Sequence, residues 1–195
     1  MIYNKVDSTD KAKEEFHKII ALSDSFYYGH PRRPNHNWKG HAFYMWGNYE
    51  EAEKEWKIYK QTHLHNVVAY HNLCMVYLIK CNCDDWKKEY KEAKQLFPEE
   101  PLFHIEEGFK YLEEGNYSES LVQLRNIEGA CQFSGVCNGL MAYTLEKLGR
   151  YEEAKQYWNL CILRVPGGVN LQKVQTFIEK MVNNAVECIQ TSENK

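Results

Sequence analysis

The chain has 195 residues, of which 44% are hydrophobic and 26% are charged, a composition typical of one or two globular domains. Its formal net charge of −3 argues against a general nucleic-acid binder, which needs a strong basic excess. No apolar run approaches the roughly 20 residues of a membrane span, and the polar amino terminus has no signal-peptide core. We therefore predict a soluble, cytoplasmic protein without membrane insertion or nucleic-acid partner.

Seven cysteines are present, an odd number that fits poorly with a disulfide framework. In a protein predicted to be cytoplasmic, cysteines are expected to remain reduced and to pack as small apolar residues.

The first predicted element is a helix over residues 8–23, STDKAKEEFHKIIALS, with Ser8 as a plausible N-cap. Ala12, Phe16 and Ile19 share one of its faces. Residues 1–32 are thus predicted to be an N-terminal helix and a linker. The segment at 27–41, YYGHPRRPNHNWKGH, mixes basic and aromatic residues. It could stack on bases or bind an acidic peptide, or it could be a surface connector.

A repeat follows the linker. GNYEEAEKEW at Gly47–Trp56 returns as GRYEEAKQYW at Gly149–Trp158, 102 residues later, which is three periods of 34. GNYSES at 115 and the degenerate CNCDDW at 81 occupy the intermediate places. The period predicts four units in register, 33–66, 67–100, 101–134 and 135–168.

Each unit carries two helical patterns separated by a short turn. Small residues recur where two helices must approach closely, and large residues recur where the gap beside them must be filled. The large residues that occupy the same position in the four units are Trp56, Tyr90, Leu124 and Trp158. Pro98 and Pro166, two periods apart, are placed to end the second helix of a unit.

The last predicted element lies within residues 169–195. Val169–Ile189 has an apolar stripe at helical spacing, so this segment is predicted to be a capping helix that covers the last repeat.

The period of 34, the G-x-Y-x-x-A core and the closing proline resemble the tetratricopeptide repeat (TPR) over residues 33–168. The resemblance implies an all-α fold, a right-handed α-solenoid of four helix-turn-helix units with a capping helix at each end. It also implies a non-catalytic adaptor or scaffold, whose partner is a peptide or protein segment bound in the concave groove formed by the first helices.

Groove positions taken from this resemblance are mainly apolar and aromatic, which is typical of a contact surface. We predict that the partner binds to Asn37, Trp38, His41, Tyr44, His71, Asn72, Met75, Ile105, Glu106, Phe109 and Tyr143. The alternative is a self-associating assembly protein, in which another copy or the chain's own N-terminal segment fills the groove or contacts the end helices.

Catalytic and metal sites have weaker signals. The sequence contains no Gly-rich phosphate loop and no GxSxG, CxxC or HExxH motif. Cys81-x-Cys83 with Cys74 could make a soft metal site, but these cysteines occupy repeat positions. The prediction is therefore no enzyme activity, no catalytic residues, no cofactor and no metal.

Overall fold

The computed structural model describes residues 8–23, 35–131, 134–163 and 170–193, and these residues are helical without any strand. The helices are α1 Ser8–Ser23, α2 His36–Trp46, α3 Tyr49–Thr62, α4 Val67–Ile79, α5 Cys83–Leu96, α6 Glu106–Glu113, α7 Tyr117–Asn126, α8 Glu128–Cys131, α9 Gly135–Lys147, α10 Tyr151–Ile162 and α11 Leu171–Glu193, with a 3-10 helix at Pro101–His104 before α6. The all-α prediction is confirmed.

The chain divides into two compact units between Leu64 and His65. The first unit contains α1 to α3. Phe16 of α1 packs on α2, with its ring stacked on Trp46 at 5.0 Å between centroids and edge-on to Phe43 at 5.6 Å. The second unit contains α4 to α11. The first predicted repeat, apart from its last two residues, thus belongs to the first unit, and the other three belong to the second.

Four helical hairpins are formed by α2 with α3, α4 with α5, α6 with α7, and α9 with α10. We call the first helix of each hairpin the A helix and the second the B helix. The B helices begin at Tyr49, Cys83, Tyr117 and Tyr151, which are 34 residues apart in every case. The period read from the sequence is therefore a period of the backbone.

The turns between A and B helices share one hydrogen-bond pattern. The amide of Asn48 donates to the carbonyl of Phe43 at 2.9 Å, and equivalent bonds recur in the other three turns at 2.9, 2.8 and 2.9 Å. This six-residue closure satisfies a carbonyl at the end of the A helix and requires a residue with positive φ. That residue is Gly47, Cys81, Gly115 or Gly149.

The third hairpin departs from regularity. Its A segment begins as the 3-10 helix at Pro101–His104, and α6 starts only at Glu106. Its B segment is divided into α7 and α8 at Ile127. The sequence predicted two uninterrupted helices here.

Packing within the hairpins pairs a small residue of the A helix with a large residue of the B helix. A Cβ built on Gly40 would lie 2.4 Å from Trp56 Nε1, and one built on Gly108 would lie 3.3 Å from Leu124 Cδ2. Trp56 and Trp158 are 1% and 3% exposed, respectively. The predicted placement of these tryptophans between helices is therefore confirmed.

Replacing Gly40 with valine is expected to lower the free energy of unfolding by about 1–3 kcal/mol, because the new methyl groups must displace a buried indole. Chemical denaturation followed by circular dichroism measures the effect. Gly129→Val is the control, since nothing lies within 4 Å of a Cβ at that helical position. Equal stability of the two variants would contradict the packing described for α2 and α3.

Candidate binding site

The C-terminal helix α11 lies against the A helices of the second unit. It contacts α4, α6 and α9, and also α5 and α10. The buried residues of its apolar stripe are Val174, Ile178, Met181, Val182, Ala185, Cys188 and Ile189. The helix contacts the last hairpin, which it was predicted to cover, and also the two preceding hairpins.

Near its N-terminus, α11 approaches α9 very closely. A Cβ on Gly139 would lie 2.4 Å from Ile178 Cδ1 and 3.0 Å from Cys161 Sγ, so only glycine allows α10 and α11 to meet α9 at this point. Gln175 Nε2 donates to Glu146 Oε1 at 3.2 Å in the last turn of α9.

Towards its C-terminus, α11 is attached to α4. The buried Asn184 side chain donates from Nδ2 to the carbonyl oxygens of Leu78 at 2.6 Å and Ile79 at 3.3 Å. The carbonyls in the last turn of a helix have no partner within it, so a side-chain amide that reaches them is a specific anchor. Gln190 Nε2 donates to Glu113 Oε1 at 2.6 Å at the end of α6.

A small apolar cavity lies among α4, α6 and the start of α9. Four of the predicted binding residues line it, namely His71, Met75, Ile105 and Phe109. Its volume is about 30 Å³, whereas pockets that bind drug-sized ligands have about 300–1,000 Å³. An anchoring side chain could therefore enter only if the surrounding helices moved apart.

One wall of this cavity is fixed by Tyr90 of α5. Its hydroxyl donates to the backbone carbonyl of Phe103, and burial raises the pKa of this phenol well above its ordinary value. Among the described residues, every buried side-chain nitrogen or oxygen has a hydrogen-bond partner. The described residues that line the cavity are mostly apolar, so it offers apolar contact.

The remaining predicted residues of the second unit lie elsewhere. Asn72 is buried, and Tyr143 is half-buried with Lys147 Nζ 5.0 Å from its ring centroid. Glu106 lies 3.8 Å from Lys94 Nζ in a shallow depression on α5, where it faces lysines. The structure thus brings His71, Met75, Ile105 and Phe109 together, but Glu106 lies apart from them.

In the first unit, the predicted residues all belong to α2. Tyr44 is buried against Trp56, and the ring of His41 meets the same indole edge-on at 5.3 Å. The carbonyl of Asn37 accepts a hydrogen bond from Trp56 Nε1 at 3.3 Å. Trp38 is 64% exposed. Of the basic and aromatic segment, residues 27–34 lie outside the described part of the chain.

The expectation that all cysteines are reduced is wrong. Cys83 and Cys188 form a disulfide that joins the first turn of α5 to α11, and Cys137 is disulfide-bonded too. Cys81 remains a thiol; it donates to Glu187 Oε2 at 3.3 Å, and burial together with this carboxylate raises its pKa.

Sequence reasoning missed the attachment of α11 to α4 and α5. The available signal was the second repeat, where Cys81 and Cys83 stand in the places of glycine and tyrosine in the other units. The two cysteines of this degenerate repeat mark the point to which α11 is bound.

No protein-family model matches the chain, and no curated protein matches it significantly. Among the described residues, none of the helices combines the length and the apolarity of a membrane-spanning segment. A function for this chain is therefore inferred from its own residues and their contacts.

Proposed function

We propose that this protein is a non-catalytic interaction module of the tetratricopeptide type, an α-solenoid scaffold that binds an amphipathic helix of a partner protein. The observation that carries the proposal is the position of α11. A helix with one apolar face is bound along α4, α6 and α9, which is the helix-in-groove mode of peptide recognition.

The surface supplies the two kinds of contact that such recognition needs. Close approach is possible at Gly139, and apolar side chains of α11 are buried along its length. Polar anchors such as the bond from Asn184 to Leu78 fix the register of the bound helix. Since α11 occupies these contacts, a partner helix would bind to the part of the A-helix surface that α11 leaves uncovered.

The cavity lined by His71, Met75, Ile105 and Phe109 is the proposed entry point, since the described residues that line it include none from α11. His71, Met75 and Ile105 are only partly buried, so their side chains can meet an incoming apolar residue. Phe109 is 2% exposed, and its replacement by alanine would cost about 3–5 kcal/mol of folding free energy. Phe109 therefore serves as the floor of the site and is unsuitable for a binding test.

Met75→Glu and Ile105→Glu are expected to weaken peptide binding at least tenfold, about 1.4 kcal/mol, because each places a charge where an apolar anchor would pack. The measurement uses a displayed library of amphipathic peptides selected on the immobilised full-length chain. Selected peptides should carry large apolar residues at positions i, i+3 or i+4, and i+7.

The matched control is Val122→Glu, which adds the same charge at a side chain of α7 that is 56% exposed. Peptides that bind this variant but neither of the other two support the proposal. Selection of no peptides, or equal binding to all three variants, would refute it. Circular dichroism of each variant shows whether the fold is retained.

Self-association is the second hypothesis. A segment of the chain, α11, occupies part of the A-helix surface of the second unit. Light scattering over a concentration series separates the hypotheses, since a monomer at every concentration removes self-association.

The cytoplasmic location stays a prediction, and the Cys83–Cys188 disulfide weighs against it, since such bonds are rare in reducing compartments.

A further inference from the structure

The turn between α4 and α5 contains a cysteine in a conformation that favours glycine. Cys81 has φ of 54°, while Gly47, Gly115 and Gly149 occupy the same place in the other turns with φ of 82°, 70° and 72°. A side chain in the left-handed region costs about 1–2 kcal/mol. The hairpin closes equally well with glycine, so the turn itself does not explain this residue.

What Cys81 adds is a third sulfur beside a disulfide. The sulfur atoms of Cys81, Cys83 and Cys188 all lie within 4.8 Å of one another. The carboxylate of Glu187 accepts the hydrogen bond from Cys81 Sγ at 3.3 Å, so an oxygen donor lies at the same point. A disulfide between α5 and α11 needs only two of these sulfurs. The strained third one, together with the carboxylate, makes a four-donor set.

We propose that Cys81, Cys83, Cys188 and Glu187 form a binding site for a thiophilic divalent cation, Zn²⁺ being the best match, when the Cys83–Cys188 disulfide is reduced. Three thiolates and one carboxylate complete the tetrahedral coordination that zinc takes in closed sites. The site is independent of the peptide-binding function proposed above, since it uses none of the residues that line the apolar cavity.

The chemistry takes two steps. A dithiol reductant gives two electrons and two protons to the disulfide, so that the sulfur–sulfur bond breaks and the reductant forms its own disulfide. A phosphine gives the same two thiols by taking the oxygen atom of a water molecule, whose two protons pass to the sulfurs. The cation then replaces the protons of the three thiols, which pass to solvent. Cys83 is the first residue of α5, where the helix dipole favours a thiolate.

The geometry requires only local movement. Zinc–sulfur bonds of about 2.3 Å in a tetrahedron place sulfur atoms roughly 3.8 Å apart. The sulfurs of Cys83 and Cys188 must separate to that distance. The sulfur of Cys81 lies no more than 4.8 Å from either of them, so it needs to approach them only slightly. The ligands come from the turn before α5, from the first turn of α5 and from α11. The bound cation would therefore keep α11 attached to α5 without the disulfide.

Cys81→Gly is the decisive variant, since it restores the residue found in the other three turns and leaves the disulfide intact. The full chain is reduced anaerobically with a phosphine and dialysed against Zn²⁺, and Co²⁺ serves as a probe of thiolate ligation by its charge-transfer absorption. The wild type should bind one Zn²⁺ per chain. Losing even an outer-shell partner costs about 10–100-fold in affinity, so losing this ligand should cost more than about 100-fold.

Cys161→Ala is the control, since it removes a buried thiol that belongs to α10. This variant should keep wild-type stoichiometry and the cobalt absorption. Cys81→Ser provides a second test if the glycine variant does not fold. Absence of Zn²⁺ binding by the reduced wild type, or undiminished binding by the Cys81 variants, would overturn the proposal.

Discussion

Replacing Trp158 with alanine is expected to lower the free energy of unfolding by about 3–5 kcal/mol. The indole is buried between α9 and α10, and its Nε1 donates to Glu146 Oε1 at 2.8 Å. Glu146 also accepts from Gln175 of α11, so this carboxylate joins three helices. Alanine removes a large buried surface and the indole hydrogen bond to the half-buried Glu146 carboxylate. Urea denaturation measured by circular dichroism gives the change.

Trp158→Phe separates the two contributions. It keeps most of the ring in place but removes the hydrogen bond, so a loss of about 1–3 kcal/mol is expected from the carboxylate that loses its donor. A loss in the alanine variant no larger than in the phenylalanine variant would show that ring burial contributes little. The interpretation that the large residues at this repeated position fill the gap between two helices and stabilise the hairpin would then be wrong.

The local parts of the fold could be predicted from the sequence. The predicted N-terminal helix over 8–23 coincides with α1, Ser8–Ser23. The B helices start at intervals of 34 because the signals that set them are local: a left-handed residue, then an Asn in three of the four turns, then the first turn of a helix. Where these local signals recur along the chain, the same turn and the same helix start recur.

The contacts of α11 could not be predicted in the same way. Its apolar stripe shows that one face must be buried, but any apolar surface would satisfy that pattern. The choice of α4 and α6 as well as α9 depends on single residues far apart in sequence, such as Gly139 opposite Ile178 and Asn184 beside Leu78. The repeat period of the sequence does not identify such pairs of distant residues.

The sequence predicted only part of the candidate site. His71, Met75, Ile105 and Phe109 line one cavity because repeat register places them on equivalent faces of neighbouring A segments. Glu106, the neighbour of Ile105 in the chain, lies against α5 instead, where its carboxylate is 3.8 Å from Lys94 Nζ. Repeat register predicts which positions are equivalent, but it does not predict which neighbouring helix each side chain contacts.

Replacing Cys83 and Cys188 together with alanine is expected to lower the free energy of unfolding by about 2–5 kcal/mol. The disulfide closes a loop across a sequence separation of 105 residues, and loss of so long a constraint increases the conformational entropy of the unfolded chain substantially. Denaturation of the oxidised wild type and the double variant gives the difference. Reductant alone does not isolate this bond, because Cys137 is disulfide-bonded as well.

The same variant tests which part of α11 depends on the disulfide. Val174 and Ile178 are buried, with Ile178 packed against Gly139 of α9, whereas Asn184 has its anchor beside the disulfide. Hydrogen exchange in the variant should therefore accelerate more in residues 184–193 than in residues 174–182. Cys161→Ala controls for the loss of a buried sulfur. If the double variant unfolds at the wild-type denaturant concentration with unchanged exchange in α11, then packing alone holds this helix, and the covalent bond is dispensable for covering the A helices.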